Sequence, residues 1–194
     1  MSNLSTTSDD ILRCARKLII EGGYNGFSYA DIAEVVGIRK ASIHHHFPAK
    51  SDLVRALVAR YREEMEAGVA ALEREVTDPA AQLRAYAGYW RACIVDDSEP
   101  FCVCALLASQ IPVLPEDVVV EVRAHFRGLS RWLASVLRRG GEQGVIALSA
   151  PAEAEAEVFM ATVHGAMLSA RAYGDPAVFG AIVDPLLLRL EARD

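Results

Sequence analysis

The sequence predicts an all-α protein of about nine helices, and three observations carry that reading. Of its 194 residues, 52% are hydrophobic, and Ala, Leu, Val, Arg and Glu dominate, a composition that favours helices. Apolar residues recur at helical spacing through most segments, and no stretch reads convincingly as a strand. Glycine, proline and capping residues punctuate the chain at intervals suited to helices rather than to hairpins. No apolar run reaches the roughly 18 residues of a membrane span, and Met1–Asp10 lacks a signal-peptide pattern. The expectation is a cytoplasmic protein with no membrane partner. Cys14, Cys93, Cys102 and Cys104 follow no zinc-site spacing and are expected to be reduced thiols.

Ser2–Asp9 is polar and is expected to be disordered or a short arm. Asp10–Glu21 follows as the first helix, with Ile11, Leu12, Ala15, Leu18 and Ile19 on one face. Gly22, Gly23 and Gly26 make a turn, and Tyr24 and Phe27 are placed to plug a small three-helix core. Ser28 then stands at an N-cap, with Asp31 three residues on as the acidic partner of a capping box. The short helix Tyr29–Val36 turns Ile32, Val35 and Val36 inward and Glu34 outward, and Gly37 stops it where a left-handed residue is needed. After Ile38, a second short helix spans Arg39–His46. Ile43 and Phe47, four residues apart, pack it back onto the domain. Its remaining positions, Arg39, Lys40, Ser42, His44 and His45, are polar, with donors suited to phosphate oxygens and base edges. A helix held by a narrow apolar seam, with a polar face left over, is built to lie in a DNA groove.

Over Ile11 to about Leu57 the sequence resembles the TetR family of bacterial transcriptional regulators. The residues that carry the resemblance are Phe27-Ser28, Asp31-Ile32-Ala33, Gly37-Ile38, Ser42-Ile43, His46-Phe47 and Lys50-Ser51-Asp52-Leu53. Two positions depart from the family pattern: Ala41 stands where glycine is usual, and His44 and His45 stand where one or two tyrosines are. The histidines are expected to make DNA binding more sensitive to pH. The resemblance implies that Lys50 holds a phosphate. The expected DNA-binding set is therefore Ser28, Arg39, Lys40, Ser42, His44, His45 and Lys50.

Beyond Pro48 a long helix, with Ser51 as a plausible N-cap, is expected to run to about Val76 and to belong to both halves of the molecule. The organisation is then residues 1–50 as a helix-turn-helix domain and 51–194 as a helical effector-binding and dimerisation domain. Thr77-Asp78-Pro79 opens a helix over Ala80–Val95, Asp96–Pro100 breaks the chain, and Phe101–Gln110 is a short apolar helix. Pro112 and Pro115 bracket a turn before a helix from Glu116 to Arg139. Gly140, Gly141 and Gly144 are expected to form a loop. Helices over Ala152–Tyr173 and from Asp175-Pro176 to near Arg193 complete the chain.

Charge agrees with this division. Residues 1–60 hold eight Lys/Arg and six Asp/Glu, a balance of +2. Residues 61–194 hold twelve against twenty, a balance of −8, and the two sum to the formal −6. The basic half carries the reading helix, and the acidic half is expected to face away from the duplex.

Other features are weighed against plain packing. Neighbouring residues on a helix point about 100° apart, so His44, His45 and His46 do not present three ligands to one ion, and no metal or cofactor is expected. No Ser/His/Asp set, paired carboxylates or phosphate-cradling glycine loop supports an enzyme. Cys102 and Cys104 open a short helix, where a thiol turns thiolate-like; the alternative is two small apolar side chains filling a core. The stretch Pro100–Gln110 and the Leu114–Asp117 that follows are similar to a TetR branch that senses electrophiles or oxidants through cysteine, and that resemblance implies Cys102 as the sensor. Tyr86, Tyr89, Trp90 and Cys93, with Cys102, His125, Phe126, Met160, His164 and Met167, are candidates to line a small-molecule effector pocket; such side chains equally make a core. Ala161, Gly165, Ala166, Ser169, Ala170 and Ala172 are small and allow close helix approach, and Val178, Ile182, Leu186, Leu187 and Leu190 form a stripe. A four-helix homodimer interface through Phe159, Ala166, Ala170, Val178, Ile182 and Leu186 is expected, with burial of these surfaces inside one subunit as the alternative.

By this reading the function is a ligand-responsive repressor that binds a palindromic double-stranded DNA operator as a homodimer and is released by a small molecule. The alternatives are a thiol-based sensor through Cys102 and a helical interaction module without DNA binding.

Overall fold

The computed structural model describes residues 7–96 and 100–192. Of the expected arm Ser2–Asp9, residues 2–6 lie outside them, as does part of the expected break at 96–100, while residues 7–9 already belong to the first helix rather than to an arm. Among the described residues there are nine α-helices: α1 Thr7–Gly22, α2 Tyr29–Val36, α3 Lys40–His46, α4 Lys50–Glu75, α5 Pro79–Val95, α6 Val103–Ala108, α7 Glu116–Glu142, α8 Ala152–Tyr173 and α9 Ala177–Leu190. A 3-10 turn, Ile111–Val113, joins α6 to α7. No strand is formed among them, only an isolated bridge between Ile146 and Glu191. None of these helices is long and apolar enough to cross a membrane.

The chain forms two compact units. The first takes residues 1–63 and 102–125, and the second takes 64–101 and 126–194. In the first, α1 packs on α2 and α6, and α2 on α3. Its core gathers Ile11, Ala15 and Ile19 of α1, Ile32 of α2, Ile43 of α3 and Leu53, Val54, Leu57 and Val58 of α4, all buried. Residues 102–125 contribute Val103, Leu107, Val118, Val119 and Val122 to it. The three short helices therefore share their compact unit with the first half of α4 and with a segment distant in sequence. Gln110 fastens that segment: its Oε1 accepts the backbone N–H of Tyr24 at 2.8 Å. The preceding Gly23 has φ +74, and a side chain there would run into Gln110, so glycine is required on both counts.

In the second unit α8 packs along α9, and α5 on α9. Buried Gln82 on α5 donates to the carbonyl of Val76 at 2.6 Å and accepts from Arg139 of α7 at 2.7 Å, while Arg139 also reaches Glu73 at 2.9 Å. Gly140 and Gly141 are not a loop: α7 runs through both to Glu142. A side chain at Gly140 would meet Ile146, so this glycine lets the returning chain lie against the helix. Pro185 stands inside α9. The residue four before it, Ala181, is exposed, and its carbonyl lacks the helical partner that an N–H at position 185 would supply.

Glu155 near the start of α8 is buried and paired. Arg189 donates to its Oε2 at 2.8 Å, and Ser149 donates from Oγ at 2.6 Å and from its backbone N–H at 3.2 Å. The Arg189 hydrogen bonds, helped by Ser149 and opposed by burial, hold its pKa down from 4.5 to about 2. A depressed folded-state pKa gives stability that is complete above the unfolded carboxylate value and is lost as pH falls towards the folded one. The thermal midpoint followed by circular dichroism should fall between pH 4.5 and about 2, and Glu155→Gln should lower it at neutral pH and flatten that acid limb. An acid limb of unchanged slope in the variant would show that the pair does not set it.

Candidate nucleic-acid interface

The first unit builds its exposed face from two short helices and the groups that hold them. Ser28 caps α2 as its sequence foretells. Its Oγ accepts from the Ala30 N–H at 3.1 Å and donates to Asp31 Oδ2 at 2.8 Å, and its own N–H reaches the same oxygen at 2.6 Å. These bonds to Ser28 hold the Asp31 carboxyl below its usual value. Gly37 ends α2 with φ 74, and its N–H returns to the Ala33 carbonyl at 3.0 Å. Arg39 then precedes α3 in extended conformation, so α3 is one residue shorter than the sequence suggests.

Only Ile43 within α3 is fully buried, with Phe47 at its C-cap buried too. Arg39, Lys40, Ala41, His44, His45 and His46 are exposed, and Ser42 is half-buried. Two tethers fix the C-terminal end of this helix. The buried Tyr29 hydroxyl donates to the Phe47 carbonyl at 2.9 Å, and burial pushes its pKa up to about 12. The His44 ring stands edge-on to Tyr29 at 4.8 Å, with Nδ1 3.2 Å from the Pro48 carbonyl. A carbonyl can only accept, so this contact selects the neutral tautomer with hydrogen on Nδ1 and leaves Nε2 as the acceptor nitrogen. His45 and His46 stack edge-on with one another at 5.7 Å and carry no such tether among the described hydrogen bonds.

Lys50, half-buried in the first turn of α4, turns inward. Its ammonium donates to the Phe27 carbonyl and lies 3.9 Å from the centroid of the Phe27 ring. Burial lowers its pKa, with Asp31 acting the other way. The lysine thus ties the loop before α2 to the helix after α3, and its remaining donors are what a phosphate could use. Ser51 lies inside α4; Asp52 does the capping, accepting from the Ala49 N–H at 3.0 Å.

The same unit holds the two cysteines read as sensor candidates. Cys102 is the N-cap of α6 and Cys104 lies in its first turn, at 1% and 0% exposure. The Tyr61 hydroxyl donates to Cys102 Sγ at 3.4 Å, His125 Nε2 is 4.0 Å from that sulfur, and the Arg16 guanidinium sits 4.5 Å over the Tyr61 ring. Burial drives the Cys104 thiol and the Tyr61 hydroxyl well above their usual pKa values. Nucleophilic chemistry needs an accessible thiolate, and this packing leaves Cys104 without access, its burial outweighing the favourable charge of Arg16.

Of the other effector candidates, His125 belongs with Cys102 in the first unit, whereas Tyr86, Tyr89, Trp90, Cys93, Phe126, Met160, His164 and Met167 belong to the second. There Tyr86, Trp90, Cys93, Met160 and Met167 are buried, and Tyr89 is 52% exposed on the outer face of α5. Trp132, not among those candidates, is buried with its ring 5.4 Å from that of Tyr86.

Among the dimer candidates, Phe159, Ala166, Ala170 and Leu186 are buried within the chain itself, and Val178 and Ile182 are half-buried. They form the packing between α8, α9 and their neighbours in the same subunit. The exposed stripe of α8 runs beside them: Ala154, Val158, Ala161, Gly165, Leu168 and Ala172. On α9 the exposed apolar positions are Ala177, Ala181, Pro185 and Leu188.

Comparison with known proteins places this geometry. Residues 11–57 match the profile of bacterial regulatory proteins of the tetR family, and residues 79–184 match the tetracyclin repressor-like C-terminal domain. A crystal structure of a TetR-family transcriptional regulator from Agrobacterium tumefaciens is 69% identical, with TM-score 0.94, covering 95% of this chain and 97% of that one. YvkB of Bacillus subtilis, described as an uncharacterized HTH-type transcriptional regulator, is 24% identical over 89% of this chain and 87% of its own length. The HTH-type transcriptional activator FasR of Mycolicibacterium smegmatis is 28% identical over 67% of this chain and 64% of its own. The capped two-helix reader and the helical unit matched behind it agree on one assignment: this chain belongs to the TetR family of DNA-binding transcriptional regulators.

Proposed function

We propose that the protein is a repressor that binds a palindromic operator as a homodimer in the cytoplasm and is released by a small molecule, without enzymatic activity of its own. The observation that carries the DNA contact is the exposed face of α3, where Lys40 and His45 stand outward while Ile43 anchors the helix. In this reading Arg39, Ser42 and Nε2 of His44 flank them, the α2 N-terminus at Ser28 offers amide groups to a phosphate, and Lys50 both holds the loop and adds a phosphate contact. Two copies would place α3 in successive major grooves, about 34–36 Å apart. Ligand control follows from α4, a continuous helix shared by both units: a shift there changes the spacing of the two reading heads, which is a coupling between two sites.

The two lysines should fail differently on operators selected from random duplexes. Lys50→Met should weaken matched and mismatched duplexes by the same factor and lower the thermal midpoint, because it strands the Phe27 carbonyl. Lys40→Ala should reorder the preferred sequences and leave the midpoint unchanged. Binding titrations giving Lys50→Met the larger change in sequence preference would reverse these roles.

Dimerisation is supported by the exposed apolar stripes of α8 and α9, which a lone chain leaves in water. Leu168 is 59% exposed, so Leu168→Glu should leave the fold intact while producing monomers and at least tenfold weaker operator binding. Tyr89→Glu, at an exposed apolar position on α5, should remain dimeric. Sedimentation equilibrium showing a wild-type monomer at micromolar concentration, or a dimeric Leu168→Glu, would count against this interface.

A further inference from the structure

The second unit contains buried aromatic side chains, among which three ring nitrogens have no hydrogen-bond partner among the described residues. Tyr86 of α5 lies 5.4 Å from the Trp132 ring of α7 and 6.4 Å from the Phe159 ring of α8. Trp90 sits one turn further along the buried face of α5. Phe126 of α7 and His164 of α8 meet at 5.4 Å. Trp90 and Trp132 are 5% and 9% exposed, yet neither indole N–H has a hydrogen-bond partner among the described residues, and neither has the buried Nε2 of His164. Buried polar groups are nearly always paired. Three unpaired ring nitrogens on α5, α7 and α8, with Tyr86 one turn from Trp90 and 5.4 Å from Trp132, make a pattern that packing alone does not require.

We infer that this set of side chains binds an uncharged, flat aromatic molecule bearing carbonyl-type hydrogen-bond acceptors, an inference that rests on the ligand-responsive reading above. An indole N–H can only donate, so two of the three nitrogens demand an acceptor. Neutral imidazole supplies either role. The rings offer faces and edges for stacking on a flat molecule. Charge is disfavoured because the buried charged side chain recorded in this unit, Glu155, is already held by Arg189 and Ser149; a buried ionic ligand would lack a counter-charge. Room comes from Met160 and Met167, on the α8 face that also carries Val163, since thioether chains repack at little cost. Positions 86 to 90 on α5, 126 to 132 on α7 and 159 to 164 on α8 span about 6–9 Å along each axis, the scale of a fused two-ring molecule.

The test uses the intact protein and its own fluorescence, because Trp90 and Trp132 are its two tryptophans. Four probes of one ring size are titrated: 2-acetylnaphthalene, naphthalene, 2-naphthoate and 2-naphthylmethylammonium. Saturable quenching and a matching thermal shift are expected with the ketone, at least tenfold weaker binding with naphthalene, and none with the two ions. Trp90→Phe and Trp132→Phe keep the ring and remove the N–H, so each should weaken the ketone about fivefold to tenfold and leave naphthalene unchanged. No ketone binding, binding of naphthoate or the ammonium as tight as the ketone, or variants that bind ketone as wild type does, would each overturn the inference. Should a variant fail to fold, the ranking of the four probes on the wild type decides alone. Operator binding and dimerisation are measured without probe: intact operator binding with no ketone binding removes this site only, whereas ketone binding that leaves the operator occupied removes the ligand-release reading and keeps the site.

Discussion

A seven-residue helix cannot hold itself in water, and the first unit is organised around that fact. Helices shorter than about 12–15 residues are marginal alone, so α3 exists only because Ile43 and Phe47 are buried and its ends are fixed from outside. The requirement is severe because the same helix must leave its polar side chains free. The solution confines burial to one seam and moves the anchoring onto neighbours: Tyr29 holds the Phe47 carbonyl, His44 folds back on Pro48, and Lys50 closes the preceding loop through Phe27. All three tethers end on backbone carbonyls. They therefore fix the exit of the helix without occupying the exposed side chains of Lys40 or His45.

This arrangement separates positioning from reading. A tyrosine in the place of His44 would bring a hydroxyl outward; the imidazole instead spends one nitrogen on Pro48 and presents the other. In its neutral form that nitrogen accepts, and on protonation it donates. A phosphate needs a donor and a purine edge can use either, so a histidine here offers a chemistry that a tyrosine hydroxyl would not. The departure from the usual family residue is thus chemical rather than merely steric.

Much of this was legible because local rules fix helix ends. Ser28, Asp31 and Gly37 bound α2 at the residues expected, since a capping box and a left-handed glycine act within a few residues and owe little to the rest of the chain. What local rules could not supply was the choice between two apolar faces. α8 is apolar on most sides, and periodicity gives its faces without saying which one the chain buries for itself; the stripe Ala154–Val158–Ala161–Gly165–Leu168–Ala172, one facet away from Phe159, Ala166 and Ala170, stays outside. Gly140 misled for a related reason. Glycine signals a turn when backbone freedom is the need, but at Gly140 the need is the absence of a side chain opposite Ile146. Trp132 went unnoticed because its partner Tyr86 lies on another helix, a pairing that sequence spacing does not encode.

The buried knot in the first unit has a meaning that connectivity supplies. That unit joins the rest of the chain covalently at three passages: after residue 63, before residue 102 and after residue 125. Tyr61, Cys102 and His125 stand at or beside those three passages and meet around one sulfur, with Arg16 of α1 packed over Tyr61. A polar contact in so buried a place is strong when satisfied and costly when broken. The cysteine at its centre is small and weakly polar, and its sulfur accepts from the Tyr61 hydroxyl. What the segment 102–125 contributes to the DNA-reading unit is consequently more than apolar filling. It brings Cys102 and His125 to Tyr61 of α4, the helix whose first turn carries Lys50 and its bond to the Phe27 carbonyl.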